Sequence, residues 1–242
     1  MRRILLLLII LMSSMAGFAQ FSDSVHYFIK YASTGSINRT NTGNSYLLNN
    51  AMGFKISKRR ISLNTGASYV YGKQDTRQTN NDVSAAVDFN YNVDSVWYYW
   101  GLASYDKSFS LKINNRFQAG VGIAMDVIHR PNATLNLSEG ILFENSDLFL
   151  KDTIPDIYHT FRNSFRLYYK WTVMKIIVLE GSNFLQNSLS HGDDYILKCN
   201  NSLSVKLRSW LSLTAAMTYN KLNRTDRENL LLNYGITVEK FF

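Results

Sequence analysis

Hydrophobic and polar residues alternate along most of the chain with a period of two, which is typical of β-strands that have one apolar and one polar face. In LSLTAAMTYN at 211–220, for example, every second residue from Leu211 is apolar, and the residues between them are mostly polar. Turn residues separate about twelve such segments. The predicted strands span residues 24–34, 44–57, 60–72, 82–94, 96–105, 110–128, 133–144, 157–170, 172–186, 194–207, 210–221 and 229–242.

The connections between the predicted strands alternate in length. Long polar segments such as GSINRTNTGN and KQDTRQTNND follow odd-numbered strands, whereas short ones such as KR and RS follow even-numbered strands. An even number of strands with long connections on one side is the arrangement of outer-membrane barrels. The pattern therefore predicts an all-β fold, an antiparallel up-and-down transmembrane β-barrel of about twelve strands.

The last predicted strand, NYGITVEKFF, alternates to the final residue, with only Lys240 breaking the apolar row. A strand at the edge of a sheet leaves a row of unpaired backbone groups, whereas closure into a barrel gives every strand two partners. The pattern at this end of the chain therefore favours a closed barrel over an open sheet.

The first residues have the features of a secretory signal peptide. Arg2 and Arg3 precede a nine-residue apolar run at 4–12, and small residues lead to an expected cleavage site after Ala19. Nine apolar residues are too few to span a bilayer about 30 Å thick. The sequence therefore predicts a signal peptide at 1–19 and a barrel at 20–242.

Composition agrees with an exported β-protein. Tyr, Phe and Trp make up 14% of the residues and only two prolines occur, a balance that favours sheet over helix. The formal net charge is +8, or +6 without Arg2 and Arg3, but nucleic acid is not expected as a partner of an exported chain. A soluble β-sandwich is the competing fold. Aromatic residues near the predicted strand ends favour the membrane barrel instead.

Several segments resemble a known family. STGSINRTNTGNSYLLNN leads into AMGFKI, and YYWGLASYDKSF, RFQAGVGIAM and LNLSEGILFEN follow in the same order as in the YdiY-like salt-induced outer-membrane proteins, whose function is unknown. The resemblance covers nearly the whole mature chain. It implies the outer membrane of a Gram-negative bacterium as the location and outer-membrane lipid as the surroundings, and it supplies no substrate.

The aromatic end is similar to the last-strand signal that the outer-membrane assembly machinery reads. The residues that match this assembly signal are Phe242, Val238, Ile236 and Tyr234, whereas Lys240 departs from it. The resemblance thus implies this machinery as a partner. The sequence leaves the oligomeric state open.

No constellation in the sequence predicts an enzyme. None of the four histidines has a serine two residues later, the pairing that barrel phospholipases use. HGDDY at 191–195 is the most suggestive segment, but its order differs from that of barrel proteases and its residues are ordinary in turns. The histidines are scattered and Cys199 is the only cysteine, so we expect no metal site and no cofactor.

If the apolar face contacts lipid, the polar face lines the interior. The cations expected to line this lumen are Lys112, Arg116, Arg162, Arg166, Lys198 and Lys206, and they outnumber the anions on the same face, such as Asp88 and Glu239. Twelve strands lie between the filled eight-stranded barrels and the open sixteen-stranded porins. Three functions stay open: a structural or stress-related envelope protein with a filled or narrow basic lumen, a narrow anion-preferring channel, and a surface enzyme or adhesin.

Two acidic residues disagree with the alternation. Glu139 and Glu180 fall on the apolar face of their predicted strands, where a charge would contact lipid at a cost. A β-bulge near each residue would turn its side chain to the other face, and the sequence favours this explanation over misplaced strands.

Overall fold

A computed structural model describes residues 26–40, 43–150 and 154–241. The predicted signal peptide and Phe242 lie outside the described residues. Twelve strands cover most of the described chain. They are β1 (His26–Thr40), β2 (Gly43–Lys58), β3 (Ile61–Gln74), β4 (Arg77–Asn92), β5 (Trp97–Ser108), β6 (Ile113–Arg130), β7 (Ala133–Leu150), β8 (Ile154–Val173), β9 (Ile177–Ser188), β10 (Tyr195–Lys206), β11 (Leu211–Leu222) and β12 (Arg227–Phe241).

Each strand pairs with its neighbours in sequence, and β1 pairs with β12 to close the sheet into a barrel. The closing pair is antiparallel, with Phe28 opposite Phe241 at one end and Gly35 opposite Tyr234 at the other. The backbone of the last strand therefore has partners on both sides, and the predicted fold class is confirmed. No helix among the described residues is long and apolar enough to cross a membrane.

The wall separates two chemical environments. Large apolar side chains such as Val121, which is 68% exposed, cover the outside, whereas polar residues of the opposite parity such as Arg162, which is 0% exposed, point inward and are buried. This arrangement follows from the alternation, because successive side chains of a strand point to opposite faces of the sheet.

Aromatic pairs on the outer face mark two belts. Tyr169 and Trp171, with ring centroids 5.4 Å apart, lie towards the end of the barrel that holds the turns after even-numbered strands, the even-turn end. Phe143 and Phe161, 5.5 Å apart, lie towards the opposite, odd-turn end. Aromatic residues on both sides of an apolar band are typical of barrels whose ends meet the two surfaces of a membrane.

The connections at the odd-turn end are shorter than the sequence predicted. The segment expected as a loop after the third strand continues β3 to Gln74 and begins β4 at Arg77. Polar residues can pair as strands there because a ladder that extends beyond the apolar band has water on its outer face. The longest described connection, at 189–194, has six residues. The prediction of mostly long loops on this side is therefore wrong for the described connections.

Turn geometry at the even-turn end includes one carboxylate cap. The backbone N–H groups of Trp97 and Val96 each donate to the Asp94 carboxylate at 2.7 Å. These two hydrogen bonds, with that of Trp97 as the larger contribution, hold the pKa of Asp94 below its usual value.

The expected bulges at Glu139 and Glu180 are absent from the described pairings. Register shifts occur at 72–73, 106–108, 113–115 and 126–128 instead. Glu180 faces the interior because β8 runs to Val173 and a turn at 174–176 precedes β9, so the parity assumed from a strand at 172–186 was wrong. Glu139 does face outward and is exposed.

The closing seam generates a prediction. A side chain at Gly235 would collide with the backbone oxygen of Ser33 on β1, because the two strands approach closely at this point. Gly235→Val should therefore prevent closure and abolish the heat-modifiable migration of the folded barrel on a gel. The matched control is Gly66→Val, where an added Cβ would lie 4.0 Å from the backbone oxygen of Met52. Equal folding of the two variants would contradict the closing register.

Candidate functional site

The barrel interior holds the densest group of charged side chains in the described residues. Asp106 on β5 accepts hydrogen bonds from two cations of other strands. Arg116 on β6 donates from Nη2 at 2.9 Å and from Nε at 3.3 Å, and Lys198 on β10 donates from Nζ at 2.9 Å. The shorter path along the wall from β5 to β10 crosses four other strands. The Asp106–Lys198 bond therefore crosses the lumen rather than following the wall.

A second group surrounds Arg162 of β8. Its Nε donates to Glu144 Oε2 at 2.7 Å, and its Nη2 donates to Asp194 Oδ1 at 2.9 Å. Gln118 and Tyr158 add further bonds to Glu144, both of 2.6 Å. The side chains of Arg162 and Glu144 are both 0% exposed. Because desolvated charges are costly unless paired and hydrogen-bonded, this group is stable only as a complete set.

Arg224 joins this group to the odd-turn end. It lies in the short 3-10 turn Asn223–Thr225 between β11 and β12. Its Nε donates to Asp156 at 2.5 Å, its Nη1 donates to Asp194 at 3.3 Å, and its guanidinium carbon lies 3.7 Å from the ring centroid of Tyr158. The hydrogen bond with Asp156 raises the pKa of Arg224, which keeps its charge fixed in this position.

An apolar cluster lies beside these charges. It packs against Tyr158 and comes from the ends of strands and a turn at the odd-turn end, with Leu111, Ile113, Leu148, Ile196 and Leu222 as its buried members. These residues interrupt the polar parity of the inner face. The register shift between Ile113 and Asn115 is what turns the start of β6 inward. Together with Arg224, the cluster fills the odd-turn end of the interior.

The even-turn half of the interior is more exposed. Glu180 lies 3.2 Å from Lys30 and 3.8 Å from Lys170, and the three side chains are 25–38% exposed. Deeper in, Trp100 lies over Gly122 and Gly140, where any Cβ would collide with its ring. The two glycines thus make room for the indole ring of Trp100 on the inner wall.

Five of the six cations predicted to line the lumen have side-chain contacts in the interior. Arg116, Arg162 and Lys198 form the networks described above, and Lys206 lies 3.8 Å from Glu239. Arg166 donates to the hydroxyl of Tyr98 at 3.3 Å and lies 5.8 Å from the ring centroid of Phe184.

Lys112 does not lie on the inner wall. The structure places it in the turn before β6 with a φ of 60°, and its Nζ is 5.0 Å from the ring centroid of Phe109. The strand predicted at 110–128 starts three residues later than expected, which leaves Lys112 outside the alternation.

The sequence prediction missed the acids that pair with these cations. Asp106 was assigned to a loop, although it shares its parity with Ser104 and Ser108 and the alternation could have included it. Glu144 and Asp194 lay at the limits of predicted strands, where parity carries no signal. The expectation of a basic lumen is therefore wrong for its central part, where Asp106, Glu144 and Asp194 face the cations.

In the segment HGDDY, no described hydrogen bond or ion pair joins the His191 imidazole to the carboxylate of Asp193 or Asp194. Asp194 is engaged by Arg162 and Arg224, and the backbone N–H of His191 donates to the hydroxyl of Ser188 at 3.2 Å. Among the described residues, no group of three or more His, Cys, Asp and Glu side chains is arranged to hold a metal ion.

Comparisons with known proteins agree with the barrel fold. The sequence model of the family "Protein of unknown function, DUF481" matches residues 34–231. No curated protein matches the sequence. The NanC porin shares 10% sequence identity over 87% of this chain and 97% of its own, with a TM-score of 0.51.

Two other similar structures are the translocator domain of the autotransporter NalP from Neisseria meningitidis and an outer-membrane channel from Pseudomonas putida F1. The first shares 11% identity over 94% of this chain and 92% of its own, with a TM-score of 0.49. The second shares 10% identity over 93% and 98%, with a TM-score of 0.46. Identities this low concern the fold alone.

The buried ion pair generates a prediction. Arg162→Ala leaves Glu144 and Asp194 without their shared cation, and removal of one partner from a buried pair costs about 3–5 kcal/mol. We expect the free energy of unfolding in urea, measured in lipid vesicles, to fall by that amount. Lys206→Ala is the control, because its pair with Glu239 is 3.8 Å long and partly exposed, and should cost about 1 kcal/mol or less. Equal losses in the two variants would contradict the assigned network.

Proposed function

The chain belongs to the family of proteins of unknown function named DUF481, and from this premise we propose that it is a structural or stress-related protein of the bacterial outer membrane with a closed interior. Within this family we assign it to the YdiY-like salt-induced outer-membrane proteins, on the segments that resemble them. The observation that supports the closed interior is the set of hydrogen-bonded charges that crosses the lumen, together with the apolar cluster beside it.

The chemistry of the barrel's outer face supports the proposed location in the outer membrane. An apolar wall with aromatic belts near both ends suits lipid contact. We propose that residues 1–19 direct export, and that the aromatic last strand is read by the outer-membrane assembly machinery. Tyr234, Ile236 and Val238 of this strand are 70%, 50% and 39% exposed on the outer face, where a partner protein could contact them.

The closed interior follows from the energetics of the network. An ion or solute that passed the odd-turn end would have to separate Arg162 from Glu144 and Asp194 and displace the apolar cluster. The first step leaves buried charged groups without partners, which costs several kcal/mol, and the second exposes buried apolar side chains. Diffusion through a fixed pore is therefore disfavoured, whereas a rigid barrel with a filled interior suits a structural role.

A narrow anion-preferring channel is the second candidate. The observation that favours it lies in the even-turn half, where Lys30, Lys170 and Lys206 are each about one-third exposed and Arg166 pairs with no carboxylate among the described residues. Cations that line a water-filled tube favour anions. This candidate requires the odd-turn end to open.

Conductance in a planar bilayer separates the two candidates. Wild-type protein that sediments with outer membranes should show no steady conductance, because the odd-turn end is filled. The double variant Arg162→Ala/Leu222→Ala, which removes the cation shared by Glu144 and Asp194 and one apolar member of the cluster, should conduct. Leu230→Ala, on the outer wall with 58% exposure, is the control and should stay closed. Anion-selective conductance of the wild type would replace the structural role with the channel.

A further inference from the structure

One part of the outer wall carries polar groups inside the apolar band. On β7, Glu139 lies between the outward-facing Leu137 and Ile141, and the residues opposite it on the neighbouring strands are Ile123 and Phe165. Glu139 is exposed, and so is Asn163 on the next strand. Both lie between the two aromatic belts, at the depth where a barrel contacts lipid tails.

Glu139 and Asn163 have no side-chain hydrogen bond or ion pair among the residues that the structure describes. An ionisable side chain facing lipid near mid-depth is costly, and such residues are rare unless they serve a contact or a function. Their lack of partners therefore needs an explanation other than the fold of a single chain.

A nearby amide pair on the same wall shows the contrast. Asn201 and Asn183 on β10 and β9 donate and accept through their amides at 3.1 Å, and the hydroxyl of Tyr169 donates to Asn201 at 2.8 Å. These side chains face outward as Glu139 does, but they satisfy one another. The amides of Asn183 and Asn201 are thus satisfied within the chain, whereas the side chains of Glu139 and Asn163 are not.

Glu139 and Asn163 carry an acceptor and a donor, so two copies of this face can satisfy each other's hydrogen-bonding groups. Glu139 is opposite Phe165, and Asn163 is opposite Ile141, so the carboxylate and the amide lie on adjacent strands two residue pairs apart, on the same face of the wall. The carboxylate can only accept hydrogen bonds when it is ionised, and the amide can donate two. The two groups therefore lie near each other on the outer face and have opposite hydrogen-bonding requirements.

We propose that the face formed by β7 and β8 is an interface with a second copy of this chain, in which Glu139 of each copy accepts a hydrogen bond from Asn163 of the other. Two barrels inserted in the same direction are related by a two-fold axis along the membrane normal, so residues of equal depth meet. This inference goes beyond the proposed structural role and rests on its membrane location.

A second copy offers hydrogen-bonding partners to the polar groups of this face, which lipid tails do not. An acyl chain offers no donor to Glu139, whereas the same face of another copy offers the Asn163 amide. It also offers the apolar side chains of Phe165 and Ile141, which exclude water and strengthen the hydrogen bonds between the copies. In return, each copy removes its own carboxylate and amide from lipid.

Glu139→Leu tests the interface, because it replaces the carboxylate with an apolar side chain that either lipid or a neighbour tolerates. Wild-type protein extracted in mild detergent should have the mass of a dimer by native mass spectrometry. The Glu139→Leu variant should be mostly monomeric while it keeps heat-modifiable migration. Glu139→Gln retains an acceptor and should stay largely dimeric.

Crosslinking in intact outer membranes provides the second measurement. In a Cys199→Ser background, Phe165→Cys should form dimers with a short bifunctional maleimide. Met52→Cys, which faces outward on β2 with 60% exposure, should not.

A monomeric wild type, or a Glu139→Leu variant that stays dimeric, would overturn the proposal. If this face contacts lipid in a monomer, Glu139→Leu should instead stabilise the protein, and both proteins should have the mass of a monomer. Recovery of the protein in the soluble periplasm would contradict the proposed location, which is a separate claim from the interface.

Discussion

A charge inside a closed barrel has to find its partner on another strand, and the rest of this structure depends on that constraint. Asp106 satisfies it for Arg116 and Lys198, and Glu144 and Asp194 satisfy it for Arg162. The hydrogen bonds that result link β5 to β10 across the lumen and connect β7 and β8 to the start of β10. The charges thus determine both the stability of the interior and its closure.

On both faces of the wall, polar side chains need hydrogen-bonding partners, although one face lines the interior and the other contacts lipid. On the inner face, the chain provides a carboxylate for most of its buried cations. On the outer face, it provides apolar residues almost everywhere, and the amides of Asn183 and Asn201 pair with each other. Glu139 and Asn163 have no such partner within the described chain, and a second copy would extend the same pairing rule beyond one chain.

The fold could be predicted because strand periodicity repeats twelve times, so an error in one strand changes little. Parity also located Arg116, Arg162 and Lys198. It could not locate their acids, because Glu144 and Asp194 lie at predicted strand limits and the position of the turn at 174–176 decides where Glu180 points. A local pattern contains no information on which strands face each other across a lumen. An apparent excess of cations on the inner face was therefore mistaken for a basic lumen.

The most direct test of the account is a double-mutant cycle between Lys198 and Asp106, measured as unfolding free energies in lipid vesicles. The two residues lie on β10 and β5, too far apart along the wall to interact through it. If their hydrogen bond crosses a closed lumen, the coupling energy of Lys198→Met and Asp106→Asn should be about 1–3 kcal/mol. Additive losses, with no coupling between the two positions, would contradict the claim that charges join opposite walls and close the interior.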